Sequence, residues 1–353
     1  MQLSMRWYGP TDPVPLKHLR QVPGVTGVVS ALYDLPQGAT WPLERVLALR
    51  RAVEDAGLTL SVIESIPVPE AVKLGLPARD EFIENYRQSL RHVARAGVRV
   101  VCYNFMPVFD WMRTNLALPL PDGSTTLSFA QAELDAIDFS GGTDGLPGWG
   151  GAYGAGELAA LLEHYVSVGE EQLFQHLVYF LRAVVPVAQE EGVRLALHPD
   201  DPPWPIFGLP RIVRDARSIA RILDAVPHEA SGLTFCTGSL GSQPGNDLPA
   251  MVRRFGRRIH FVHARNVRVT GERRFHEVAH PSAYGDVDMR AVMQALVEVG
   301  FDGPLRSDHG RMIWGETGKP GYGLHDRALG SAYLLGLLEG VRVPAPPLAQ
   351  SAP

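Results

Sequence analysis

Val193-Arg194-Leu195-Ala196-Leu197-His198 is a short apolar run that opens just after a glycine and ends on an imidazole. Three later segments share the plan: Gly232-Leu233-Thr234-Phe235-Cys236, Ile259-His260-Phe261-Val262-His263 and Gly303-Pro304-Leu305-Arg306-Ser307-Asp308. Runs this short, bounded by Gly, Pro or Asp, read as strands buried on both faces, as in parallel sheets. A closed barrel of such strands would bring their C-terminal ends around one axis. His198, Cys236, His263 and Asp308, far apart in sequence, are therefore expected to meet. Two imidazoles, a thiolate and a carboxylate suit a divalent transition metal, and the thiolate favours Zn, Mn, Fe or Co over Mg.

Working outward, comparable runs occupy residues 3–8, 25–32, 58–64 and 98–105. With 193–198, 233–236, 259–263 and 304–308 they make eight, the number a (β/α)8 TIM barrel needs. Amphipathic helices are expected at 80–96, 173–191, 211–225, 289–299 and 326–338, with Pro186 kinking or interrupting the second. Three helices pass through glycine directly into the next strand, at Ala56-Gly57-Leu58, Ala96-Gly97-Val98 and Glu191-Gly192-Val193. A glycine there supplies the left-handed cap from which the chain turns back to the sheet. Two insertions, near 104–156 and 266–285, break the rhythm and are expected at the C-terminal face, as a lid or an oligomer contact. The expected organisation is one catalytic barrel domain over 1–340, followed by a disordered tail, 341–353.

Composition narrows the function. The 353 residues are 45% hydrophobic and 20% charged, with a formal net charge of −5. This is an ordinary globular balance, and it argues against a broad nucleic-acid surface. No apolar stretch is long enough to span a bilayer, and the N-terminus lacks the apolar core of a signal peptide. Two cysteines, Cys102 and Cys236, make no disulfide framework. A cytoplasmic enzyme acting on a small molecule is the expectation, with a homo-oligomer as the expected assembly and no nucleic-acid or membrane partner.

Each candidate residue has a plainer reading. A lone histidine such as His198 usually hydrogen-bonds at a loop start, and a lone buried cysteine is usually a small hydrophobe. The four parallel positions favour ligation instead. Period-two alternation turns His263 inward and His260 toward the helices. Asp200 or Asp201 could orient His198. Arg265 returns to the face of His263 and could hold a substrate carboxylate, or be a surface arginine; Asn266 follows as a further substrate-binding candidate. Arg306 shares the face of Asp308. His309 could carry a proton while Asp308 binds metal, or be another ligand or a cap. Gly318-Lys319-Pro320-Gly321-Tyr322-Gly323 could place a cation and a phenol over a pocket, although such patterns are more often surface turns. Glu64 and Asn104 could bind hydroxyls or act as caps. No GxGxxG or GKS/T pattern occurs in the proper strand–helix context, so nucleotide binding has no support.

Several segments carry a closer resemblance. Met5-Arg6-Trp7-Tyr8-Gly9-Pro10, Val62-Ile63-Glu64-Ser65-Ile66-Pro67-Val68, Val101-Cys102-Tyr103-Asn104-Phe105-Met106-Pro107-Val108, Leu197-His198-Pro199-Asp200-Asp201-Pro202-Pro203, Phe261-Val262-His263-Ala264-Arg265-Asn266 and Arg306-Ser307-Asp308-His309-Gly310 resemble the D-mannonate dehydratase family of xylose-isomerase-like barrels. The resemblance runs from about residue 1 to residue 340. It implies a TIM barrel and a Mn2+-dependent hydro-lyase, with Fe2+ or another divalent transition metal as alternatives. The implied reaction converts D-mannonate to 2-keto-3-deoxy-D-gluconate in hexuronate breakdown. It implies the same four metal ligands, with His309 and Tyr322 as the proton-relay residues. A sugar isomerase or epimerase on the same barrel is the first competing expectation, though such sites usually carry more carboxylates than one containing Cys236. A non-catalytic sugar-acid-binding barrel is the second.

Overall fold

The computed structural model describes residues 1–138 and 142–342. In chain order its strands are β1 Gln2–Arg6, β2 Val25–Ser30, β3 Thr59–Glu64, β4 Val100–Tyr103, β5 Asn115–Pro119, β6 Thr125–Ala130, β7 Arg194–Leu197, β8 Ser231–Cys236, β9 Ile259–Ala264, β10 Asn266–Gly271, β11 Arg274–Val278 and β12 Pro304–Ser307. Eight of them close a parallel barrel in the order β1-β12-β9-β8-β7-β4-β3-β2. All eight expected strands are barrel strands.

Alternation sorts their side chains. Val29, Val62, Val100, Cys102, Ala196 and Phe261 form a small cluster of their own, apart from the extensive core that includes the strands' other faces and the helices. Helix Arg79–Arg95 shows why that larger core forms. Ile83, Tyr86, Leu90 and Val93 are buried at helical spacing, each contributing about 1.5–3 kcal/mol of burial. Gly57, Gly97 and Gly192 take φ values of 74°, 80° and 64°, the left-handed turn expected between helix and strand.

Some expected boundaries move. Helix Ala216–Ala225 starts later than residue 211, because Asp215 and Ser218 form a reciprocal capping box that fixes its first turn. Helix Glu170–Glu190 runs through Pro186 without interruption. The last helix, Leu324–Arg342, includes residues 341 and 342, which were expected in the tail; residues 343–353 lie outside the described residues. No helix among the described residues is long and apolar enough to cross a membrane.

The two insertions form one structure. β5 and β6 come from the first and β10 and β11 from the second, and they make a four-stranded antiparallel sheet ordered β10-β11-β6-β5. The joining register is Arg274↔Ala130, Phe275↔Phe129 and His276↔Ser128. Phe129 stacks on Phe275 with ring centroids 5.9 Å apart, and both rings are buried. This sheet links the loop after β4 to the loop after β9.

Candidate metal centre and active site

Register brings the candidate ligands together. Cys236 is paired with His263 across β8 and β9, and His263 with Arg306 across β9 and β12. His198 and Asp308 lie one residue past their strands. Each is still tied to the ladder by its backbone, His198 N–H donating to Tyr103 O at 2.7 Å and Asp308 N–H to Ala264 O at 3.1 Å. Ligand atoms of His198, Cys236 and His263 lie within 4.8 Å of one another. Asp308 Oδ2 stands beside them, 3.9 Å from Cys236 Sγ and 3.9 Å from His263 Nδ1.

Hydrogen bonding tests whether this set fits a cation. His198 Nδ1 lies 2.6 Å from Pro199 O, a pure acceptor, so Nδ1 carries the proton and Nε2 presents a lone pair. His263 Nε2 faces Glu64 Oε2 at 3.4 Å, longer than a formed hydrogen bond; the carboxylate favours the proton on that side, which leaves Nδ1 bare. Those two bare nitrogens stand 3.1 Å apart. Two lone pairs pointed at one another beside a sulfur repel unless a cation sits among them, and the donor set suits a divalent transition metal. Without a metal a proton takes that place. Burial opposes charge on His198, yet its hydrogen bond to Cys236 and the charge of that sulfur raise its pKa to about 9.

The surroundings favour ionised ligands. Burial alone would raise the Cys236 thiol, but Arg265 and the two imidazoles hold it well below the ordinary thiol range. Ser239 contributes its backbone N–H at 3.4 Å and its hydroxyl at 3.2 Å to the same sulfur. Gly238 makes room for Arg265, since a Cβ there would lie 1.8 Å from Arg265 Nε. Asp308 is buried, which alone would raise its pKa. Arg306, whose Nη1 is 2.6 Å from Oδ1, holds it well below the usual carboxylate range.

A cavity of about 560 Å³ opens over this cluster. His198, His263, Asp308 and His309 line its inner end; Arg6, Tyr8, Trp111, Trp149, Lys319 and Tyr322 are among the other walls. The ring of Tyr322 is 5.4 Å from that of His309, and Lys319 Nζ sits 3.8 Å from the centroid of Tyr8. Burial raises the Tyr322 phenol above its ordinary value against the pull of Arg306, keeping it a neutral donor near neutral pH. Arg306 also reaches the cavity, with Nη2 3.1 Å from Glu64 Oε1.

Other expected substrate contacts are placed differently. Arg265 does not line the cavity, because its guanidinium is engaged behind the ligands by Asp201 at 2.7 Å, Ser239 at 3.1 Å and Glu277 at 3.3 Å. Asn266 is buried and anchors the second insertion: Nδ2 donates to Pro281 O at 2.9 Å and Oδ1 accepts from Val287 N–H at 3.1 Å. Glu64 borders the cavity, but Arg6 takes its Oε1 at 2.6 Å and its Oε2 faces His263. Asn104 also borders it and accepts from Met106 N–H at 3.3 Å, as a cap does. Asp200 does not orient His198; its Oδ2 accepts from the backbone of Ile212 and Val213. His260 points to the outer face, its Nε2 donating to Glu229 O at 2.8 Å.

Three charged residues of the site escaped the sequence reading or were given another role there. Arg113, wholly buried, bridges Asp201 at 2.8 Å and Glu277 at 2.9 Å. Burial would raise Asp201, but Arg113 and Arg265 together drive it far below the usual carboxylate range. Glu277, from β11, closes the cluster against His309 Nδ1 at 2.5 Å. Hairpin signals were present at Pro121-Asp122-Gly123 and near Gly271, but nothing local said that β11 would be buried.

Comparison with known proteins identifies the family of the chain. A sequence model of the D-mannonate dehydratase (UxuA) family matches residues 1–344. Mannonate dehydratase 2 of Halalkalibacterium halodurans is 52% identical over 343 residues, covering 97% of this chain and 99% of its own. The mannonate dehydratase of Thermotoga maritima is 52% identical over 353 residues, covering 97% and 98%. The crystal structure of mannonate dehydratase from Streptococcus suis serotype 2 superposes with a TM-score of 0.90 at 49% identity, covering 97% of this chain and 95% of that one. The chain belongs to the D-mannonate dehydratase family.

Proposed function

We propose that this protein removes water from D-mannonate to give 2-keto-3-deoxy-D-gluconate, using a divalent cation held by His198, Cys236, His263 and Asp308. The observation that carries this reading is the pair of facing imidazole lone pairs beside a thiolate, at the inner end of a cavity that also exposes His309 and Tyr322. Mn2+ is the cation assigned here, with Fe2+ the nearest alternative; both accept mixed nitrogen, sulfur and oxygen ligands.

Charge supports an anionic substrate. Arg6, Arg113, Arg265 and Arg306 pair with Glu64, Asp201, Glu277 and Asp308, so these groups cancel. Lys319 and Asp110 on the cavity wall offset one another, so a divalent cation and the Cys236 thiolate leave one positive charge, which complements a monoanionic sugar acid.

The reaction is hard because the proton at C2 sits beside a carboxylate that is already negative. When bound, the cation supplies Lewis acidity for the charge that builds there. The side chains do the remaining work. His309 lines the inner end of the cavity, and its Nε2 takes the C2 proton once it parts from Arg265 Nη1. Tyr322, a neutral phenol, donates a proton to the departing C3 hydroxide. Arg306, Lys319 and Arg6 bind the polar substituents of the substrate, and Trp111 and Trp149 narrow the space around them.

Turnover of D-mannonate by protein reconstituted with Mn2+ tests the reading. A product that reacts with periodate and thiobarbiturate supports it. A product of unchanged formula indicates an isomerase or epimerase, and saturable binding without product indicates a binding protein.

A further inference from the structure

Glu277 has no counterpart in the reaction described above, yet it is a wholly buried carboxylate in direct contact with the proposed base. Its two oxygens do different things. Oε1 accepts from Arg113 Nη2 at 2.9 Å, Arg113 Nε at 3.2 Å and Arg265 Nη1 at 3.3 Å. Oε2 faces His309 Nδ1. Arg265 Nη1 lies beside the same ring, 2.5 Å from His309 Nε2 and 3.4 Å from Nδ1. A guanidinium can only donate, so Nε2 must present a lone pair to it. A carboxylate flanked by two guanidiniums can only accept, so Nδ1 must carry the proton. Both contacts demand the same tautomer.

We infer that Glu277 is a positioning residue for the dehydration, fixing His309 as the Nδ1-protonated tautomer with Nε2 unprotonated. The inference rests on the role of His309 proposed above. It also gives the sheet built from the two insertions a chemical purpose. β11 carries Glu277, β6 pairs with β11, and the Thr126 hydroxyl donates to Glu277 O at 2.9 Å. Arg113, from the first insertion, then locks the carboxylate that the second insertion delivers.

Glu277→Gln is the informative variant. An amide has only one oxygen, and the two arginines claim it; the NH2 group then turns to His309 Nδ1 and forces the opposite tautomer. With the Mn2+-loaded enzyme, kcat for D-mannonate is expected to fall at least ~100-fold while KM and metal content stay near those of the parent. In a His309→Asn background, Glu277→Gln should slow turnover no further, because the group it positions is already gone. Retention of the parent kcat, or an equal further loss on top of His309→Asn, overturns the inference. If Glu277→Gln does not fold, 15N ring shifts of His309 in the Zn2+-loaded parent, assigned by difference from His309→Asn, read the tautomer directly. A protonated Nδ1 supports the inference and a protonated Nε2 overturns it. Failure of the proposed function is distinguishable, since the unmodified enzyme would then not turn over D-mannonate.

Discussion

Glu64 Oε2 stands 3.4 Å from His263 Nε2, while the opposite nitrogen of the ring faces His198. Burial would raise the pKa of this carboxyl, but Arg306 and Arg6 keep it well below the ordinary value, so it stays an acceptor. A carboxylate behind a ligating imidazole fixes the ring and increases its basicity. Glu64→Gln should therefore weaken Mn2+ binding by about 10–100-fold, with kcat largely restored at saturating metal. Titration of the stripped protein, followed by the loss of the free Mn2+ signal in electron paramagnetic resonance, measures this. Unaltered affinity would remove Glu64 from that role.

Cys236→Ala should lower the metal content of the protein as purified, read by elemental analysis, while the barrel stays folded. The sulfur is bordered mainly by polar partners, and an alanine methyl fits the space it leaves. Asp308→Ala should lower metal content as well. It also leaves the buried Arg306 guanidinium with Glu64 as its remaining carboxylate partner, so a stability loss of about 1–3 kcal/mol should accompany it in denaturant melts.

His309→Asn should keep its full complement of metal and lose turnover by about 10²–10⁴-fold, because only proton transfer is removed. Metal analysis and steady-state kinetics on one preparation decide this. Loss of the metal along with activity would make His309 a ligand instead.

His260 offers a test of stability against pH. Burial, against the help of Glu229 O, lowers its pKa from the ordinary 6.5 to about 4. The unfolded chain thus binds a proton between those values that the folded protein does not. Stability from this site is complete above about pH 6.5 and is lost as pH falls toward 4, by about 3 kcal/mol. His260→Gln can keep the bond to Glu229 O without titrating. Urea unfolding of both proteins from pH 7 to pH 4.5 should show the parent losing more stability than the variant, and parallel curves would refute the assignment.

The barrel was legible because its strands are short, apolar and locally bounded, and because three of its turns are written as helix–Gly–strand. The convergence of His198, Cys236 and His263 followed from that regularity alone, since equivalent positions on neighbouring strands must be close. Residues that depend on the insertions were not legible. β6 and β11 pair across well over a hundred residues of chain, and no local pattern specifies that register. Nothing local therefore singled out Glu277 as part of the site. Arg265 and Asn266 were placed on the correct strand end, but whether they would face the cavity depended on Asp201, distant in sequence, and on how the second insertion folds Glu277 and Pro281 back onto them.

The pairing of β6 with β11 also limits what can be exchanged between relatives. Grafting either loop alone onto another eight-stranded scaffold would leave a bare strand edge and a charged side chain without its counterpart, Arg113 in one case and Glu277 in the other. The two excursions are best regarded as a single inheritable cassette, to be swapped together or left in place.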